Sequence, residues 1–358
     1  MLKNKLYPIL LALLAALLFG ASAPLSKILL GDVEPVMLAA FLYLGSGFGL
    51  LIVKIFQQIG KKSVKTEAKI RKSDLIWLIG ATIAGGIAAP IILLFGLRDT
   101  PAATASLLLN FEGVATTIIA AFAFKESVSR RAWYAIITIT AASIFLSVNL
   151  NSEWGFSIGA LGILAACFLW GVDNNLTRNI SAKDPLTIVT IKGLVAGTFS
   201  LILAIITGNV FPGWTVVLGA MLLGSLSYGL SITLFIRAMR GMGAARTSAL
   251  FGTAPLAGLI LSFILFQETI NFLFLLAIPL MLVGTIFLVT EDHVHLHTHE
   301  KVIHDHSHSH NDGHHEHVHP ENKIVFQQHS HLHEHSVCEH DHHHMPDTHH
   351  RHTHSSQS

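Results

Sequence analysis

Histidine is missing from the first 292 residues, and all 24 of the chain's histidines follow from His293 onward. A body without imidazole lacks the commonest metal ligand and the usual general base near neutral pH. Cysteine is nearly as scarce, with Cys167 in an apolar stretch and Cys338 in the tail. Two thiols so placed exclude a disulfide framework and a four-thiolate zinc site. Cys167 reads as a small apolar packing residue. Charged residues make up 13% of the chain, against about 25% in soluble domains. No nucleophile triad, nucleotide-binding loop or metal-protease motif occurs. Catalysis is therefore not expected, no cofactor is required, and nucleic acid is not an expected partner.

What remains is oil. The chain is 51% hydrophobic, and its mean hydropathy is +0.57 with the polar tail included. Apolar runs of some 20 residues recur, each long enough to cross a hydrocarbon core of about 30 Å. Ten membrane spans are expected, near 7–29, 36–57, 74–97, 102–124, 131–149, 158–178, 185–207, 214–236, 244–266 and 271–290. The N-terminus imitates a signal peptide, with Lys3 and Lys5 before an apolar run and Ala21-Ser22-Ala23 as a cleavage site. Pro24 directly after the cut, and apolar character continuing through Leu30, favour an uncleaved first span.

Basic residues set the orientation. Alternate loops carry Lys3 and Lys5, then Lys61 to Lys72, then Lys125 to Arg131, then Arg178 and Lys183, then Arg237 to Arg246. The opposite loops are acidic or neutral, apart from Arg98 and the span-end Lys27. Both termini are expected in the cytoplasm, and the setting is expected to be a bacterial inner membrane.

The body repeats itself. The octet Leu13 to Gly20 recurs as Leu164 to Gly171, and Ser26-Lys27 meets Thr177-Arg178 at the same offset. Gly96-Leu97-Arg98 recurs as Ala238-Met239-Arg240, and Phe124-Lys125-Glu126 as Phe266-Gln267-Glu268. Each unit holds five spans. An odd number of crossings makes the second unit enter from the opposite face, which gives the inverted repeats of many secondary transporters.

The segment from Thr100 to Glu126, TPAATASLLLNFEGVATTIIAAFAFKE, resembles the signature of the EamA-type repeat of the drug/metabolite transporter superfamily. The segment from Phe168 to Arg178, FLWGVDNNLTR, is similar to the opening of that family's second repeat. The resemblance spans about residues 7–290. It implies an all-α membrane protein of ten transmembrane helices in two inverted five-helix repeats, 1–150 and 151–292, that moves small metabolites across a membrane. Gly113 stands where the family often has proline. The basic residue usual in the second span is missing from the first repeat, whereas Lys192 fills its place in the second. The histidine tail, 293–358, lies outside the family pattern.

Glu112 is the sharpest candidate. It lies near the middle of the fourth span, close to Asn110 and followed by Thr116 and Thr117. A charge centred in a membrane helix costs about 3 kcal/mol on insertion scales, so such residues face a cavity or a partner. A carboxyl that gains and loses a proton is also what proton-coupled exchange requires. The plain alternative is a structural glutamate bonded to a neighbouring helix. In the second repeat the matched position is Ala254, followed by Pro255. Trp170, Asp173 and Asn174 form a second candidate group, either a substrate wall or a polar helix end with Asp173 paired to a cation. Lys192 is one such cation, but its long stem favours snorkelling to the interface. Pro24, Pro90, Pro255 and Pro279 interrupt predicted helices, and Gly45, Gly47 and Gly49 favour close helix packing.

The tail alternates histidine with other residues. His293, His295, His297 and His299 lead, followed by His306, His308 and His310, then His329, His331, His333 and His335. Imidazole suits zinc, nickel, copper and cobalt. No fixed ligand spacing stands out, so exchangeable Zn or Ni sites are expected on a chain whose composition predicts disorder. The function expected is secondary transport of a small metabolite through lipid by alternating access, with a metal-binding cytoplasmic tail. The alternatives are a divalent-metal transporter for Zn, Ni or Co, and a membrane-embedded metal or pH sensor.

Overall fold

In the computed structural model the described residues are 2–59, 70–123, 130–148, 157–180, 183–242, 250–267, 272–289 and, in the tail, 293–299, 302–308, 329–335 and 338–344. Several basic loop residues used for orientation, among them Lys61, Lys62, Lys125 and Arg246, lie outside them.

Among the described residues, seven helices are long and apolar enough to cross a membrane. They are α1 (Tyr7–Leu29), α2 (Pro35–Gln57), α3 (Lys72–Arg98), α4 (Ala102–Ala123), α6 (Ile158–Arg178), α7 (Pro185–Ile206) and α8 (Trp214–Phe235). Three further helices occupy the other expected spans. The first, α5 (Arg130–Ser147), opens on two arginines. The others, α9 (Ala254–Phe266) and α10 (Phe272–Phe287), are shorter apolar helices.

Local chemistry explains the boundaries. The Ser157 hydroxyl accepts from the Ala160 amide at 3.3 Å and opens α6. Asp184 accepts from the Leu186 amide at 3.1 Å and opens α7, with Pro185 in the first turn where its missing N–H costs nothing. Pro255 starts α9 in the same way. Pro90 follows a stretch of α3, Thr82–Ala88, that widens to π geometry. A matching wide stretch, Gly224–Leu230, interrupts α8. The offset that aligns Gly96 with Ala238 also aligns Thr82 with Gly224.

Packing follows the same correspondence. Helix α1 lies against α8 and α9, and α6 lies against α3 and α4, while α2 packs on α7 and α5 on α10. Small residues let the backbones approach. A Cβ on Gly193 of α7 would lie 2.7 Å from the Gly47 nitrogen of α2, and one on Gly171 of α6 would lie 2.9 Å from the Thr116 nitrogen of α4. Gly45 and Gly49 meet α8 at Met221 and Ser225, so the small-residue face of α2 is packed on two sides.

Among the described residues the tail holds four strand segments. Strand β1 (His293–His299) pairs antiparallel with β4 (Cys338–His344), and β2 (Val302–His308) with β3 (His329–His335). Strict alternation of residue types is a period-two pattern that suits a strand, and composition alone does not register it. Each ladder has only two strands, an arrangement of marginal stability in water.

Candidate substrate site

The site forms where α3, α4, α6 and α7 meet, and it begins with the irregularities of α3 and α4. A helix that widens to i→i+5 bonding shifts its carbonyls out of line. In α3 the carbonyl of Gly85 takes two outside donors, the Tyr43 hydroxyl at 2.7 Å and the Trp170 indole N–H at 3.1 Å. Helix α4 is broken at Leu109-Asn110, between Ala102–Leu108 and Phe111–Ala123. The break sets Glu112 in the first turn of the second piece.

Helix α6 presents its polar run to these features. Asn174 donates from its amide to Glu112 Oε1 at 2.9 Å and to Thr116 Oγ1 at 3.2 Å. Thr116 in turn donates to the Glu112 carbonyl at 2.8 Å, which leaves its oxygen free to accept. The neighbouring Asn175 amide donates to the Thr116 carbonyl at 3.1 Å and fastens α6 to α4. Asn174 is exposed although it shares the Trp170 side of α6, away from the outward stripe of Ile158, Leu161 and Phe168. Residues four apart on a helix lie on one face. The exposed Asn174 thus lies on the inward side of α6, one turn before its end at Arg178.

Asp173 is buried and fully engaged. Lys192 Nζ of α7 lies 2.5 Å and 2.7 Å from its two carboxylate oxygens, and the Thr177 hydroxyl donates to it at 2.8 Å. The snorkelling expected for Lys192 is thus corrected. Its stem is held among packed helices, where the buried carboxylate is a nearer partner than the interface. Among the described residues Glu112 makes no ion pair, and its side-chain contact is a neutral amide.

Rings close one side of the site. Phe19 stands 6.3 Å from Trp170, 6.0 Å from Tyr228 and 5.3 Å from Phe251, and Tyr43 stands 5.6 Å from Tyr228. Edge-on and tilted pairs at these distances are favourable. Phe19 and Trp170 occupy the same place in the repeated octet, so each touches its own counterpart.

Four of the five candidates from the sequence come together here: Glu112, Asn174, Asp173 and Trp170. Asn110 does not join them. Its Oδ1 accepts from the Thr285 hydroxyl of α10 at 3.3 Å and its amide bonds the Leu107 carbonyl, so it ties down the α4 break. Sequence reasoning missed Tyr43, Thr116 and Tyr228 as site residues. With four tyrosines in the chain, two of them deep inside spans, the tyrosines were the available signal.

Lys27 does other work. Its ammonium donates to the carbonyls of Leu97, Arg98 and Thr100 at 2.7, 2.7 and 2.8 Å, which caps the C-terminal end of α3. Among the residues whose side chains are described, no three His, Cys, Asp or Glu converge on a metal-sized site. Of the tail histidines named above, His310 lies outside the described residues, and the others lie on β1, β2 and β3.

Comparison with known proteins agrees with this architecture. An uncharacterized transporter of Methanothermobacter thermautotrophicus is 29% identical over 291 residues, covering 76% of this chain and 83% of that protein. A protein crystal structure superposes with a TM-score of 0.57 at 18% identity, covering 78% of this chain and 94% of the other, a likeness of fold. The profile of the EamA-like transporter family matches twice, at residues 6–148 and 157–290. The chain belongs to the EamA-like transporter family: it is a multi-pass integral membrane protein and a secondary transporter, not an enzyme.

Proposed function

We propose that the protein moves a small metabolite by alternating access between two inverted five-helix halves, with Glu112 as the proton-carrying group. The two halves comprise ten crossings in a cell membrane, with both termini in the cytoplasm. The reading is supported by the doubled family match, the paired wide turns of α3 and α8, and the contact between Phe19 and its counterpart Trp170.

One contrast carries the proton role. Asp173 is neutralised by Lys192, while Glu112 is held by the neutral amide of the exposed Asn174. A carboxyl held by a neutral donor can bind a proton and release it without breaking an ion pair. The Asn174 amide bonds one oxygen in either state. Trp170, Tyr43 and Tyr228 supply a flat, mostly apolar wall, with the Trp170 N–H and Tyr43 hydroxyl taken up by the Gly85 carbonyl, which fits an amphipathic solute better than a bare ion. The tail binds transition-metal ions such as Zn²⁺ or Ni²⁺ through its imidazoles.

The test screens a panel of labelled small metabolites, together with Zn²⁺, for uptake and efflux in cells overproducing the full chain. The solute found is then followed in the Glu112→Gln variant. Transport is expected to vanish, or to lose its dependence on a proton gradient, while the variant inserts and folds normally. Unchanged transport with unchanged proton dependence would make Glu112 a packing residue.

A further inference from the structure

Two bodies face each other across the site. Helix α1 lies against α8 and α9, whereas α3 and the second piece of α4 lie against α6. At one end of the bundle Lys27 bridges them. It sits in the last turn of α1 and donates to the carbonyls of Leu97, Arg98 and Thr100 at 2.7, 2.7 and 2.8 Å, where α3 gives way to α4. Further along α4, toward Glu112, its first piece lies against α9, and Ser106 Oγ is 3.5 Å from Ser262 Oγ. Leu97, Thr100 and Ser106 are buried. At this end the two bodies are packed together.

We propose that Lys27 is the latch of this face. Its ammonium holds α1 to the α3–α4 junction while the face is closed, and it releases the three carbonyls when the face opens to the solute. This rests on the alternating-access reading. Hydrogen bonds from a charged donor are about twice as strong as neutral ones. The Arg98–Glu34 pair on the same face, 3.7 Å apart, is exposed, and exposed pairs hold little. Release is feasible as well. Lys27 is half-buried at a helix end, so on opening water can solvate both the ammonium and the carbonyls. Parting the Asp173–Lys192 pair inside the bundle would instead leave two buried charges. The matching turn of the second repeat keeps a cation, Arg178, whereas Glu112 meets Ala254 there. A cation at this turn thus goes with what both halves share, the opening of a face, rather than with holding the solute.

The opening can be read directly, without a solute. The full-length chain with Cys167→Ala and Cys338→Ser carries Ser106→Cys, and a membrane-impermeant thiosulfonate reagent is added to membrane vesicles of each orientation. Asp99→Cys, exposed on the same face, shows from which side the reagent arrives. With Lys27 in place, Ser106→Cys should react slowly. Lys27→Met should raise its rate by more than about tenfold, since a single hydrogen bond to a charged group is worth that much. Lys27→Arg should stay near the parent rate. Lys27→Gln, which keeps a donor for one carbonyl, should fall between, and it serves if the Lys27→Met protein does not insert. In a second measurement, oxidation of a Ser106→Cys and Ser262→Cys pair should form a disulfide readily in the parent and slowly in Lys27→Met. Parent rates in Lys27→Met and Lys27→Gln, with or without a lower thermal midpoint, make Lys27 a helix cap alone and overturn the latch while the transport reading stands. Failure of the transport reading shows separately, in the solute screen and in Glu112→Gln.

Discussion

Removing one charge of the Asp173–Lys192 pair tests whether the site is built as described. The side chains are 12% and 15% exposed, and the ammonium is shared between both carboxylate oxygens. Lys192→Met leaves Asp173 with the Thr177 hydroxyl as its remaining side-chain donor. Breaking a buried pair from one side costs about 3–5 kcal/mol, because the surviving charge has no compensation, whereas replacing both partners by neutral groups is often close to neutral. The expected pattern is a large loss for Lys192→Met, a smaller or comparable loss for Asp173→Asn, and recovery of most stability in the double variant. Thermal unfolding midpoints of the four proteins in one detergent measure it. Residues in direct contact should show a non-additive term of about 0.5–3 kcal/mol. A Lys192→Met protein as stable as wild type would refute the reasoning, as would a double variant that simply sums the two losses. Either result would return Lys192 to the membrane interface.

Three further outcomes are expected. Gly171→Leu forces side-chain atoms onto the α4 backbone at Ala115 and Thr116. It should cost about 1–3 kcal/mol by overpacking and should abolish transport by parting Asn174 from Glu112, as read by unfolding and solute flux. Cysteine tags placed after Lys62 and after Glu153 should label from opposite sides of the membrane, and labelling from one side would sink the inverted-repeat topology. Truncation at Asp292 should leave insertion and basal flux of a metal-free solute intact, and loss of that flux would make the tail part of the transport machinery.

Much of the fold was legible because spans announce themselves. Runs of apolar residues must be helices in lipid, since every backbone group needs an internal partner. The repeats were legible as recurring strings, and Glu112 as an acid where acids are costly. What the sequence hid was mostly relational. Asp173 and Lys192 are nineteen residues apart on separate helices, and nothing in either local pattern says that they meet. Asn110 sits beside Glu112 in sequence, yet the α4 break turns it toward α10. The wide turn at Thr82–Ala88 left only Gly85-Gly86 as a trace, although it is what presents the Gly85 carbonyl to Tyr43 and Trp170.

The scaffold is duplicated but its chemistry is not. At the offsets of the repeated strings, Glu112 corresponds to Ala254, Asp173 to Ser22, and Asn174 to Ala23. Aligning Pro185 with Pro35 sets Lys192 against Leu42. Each polar member of the site thus has a small or apolar counterpart in the other half. A second set of charges would add another desolvation penalty inside the bundle, and stability would not repay it. In the proposed alternating-access cycle, rocking one half against the other needs matched helices, matched small-residue crossings and matched wide turns, and these recur in both halves. In the same proposal one site holds both solute and proton, and it stands on the α4, α6 and α7 side. The apolar counterparts Phe19 and Trp170 meet where the halves touch, and a ring can serve either half equally because it carries no charge to place.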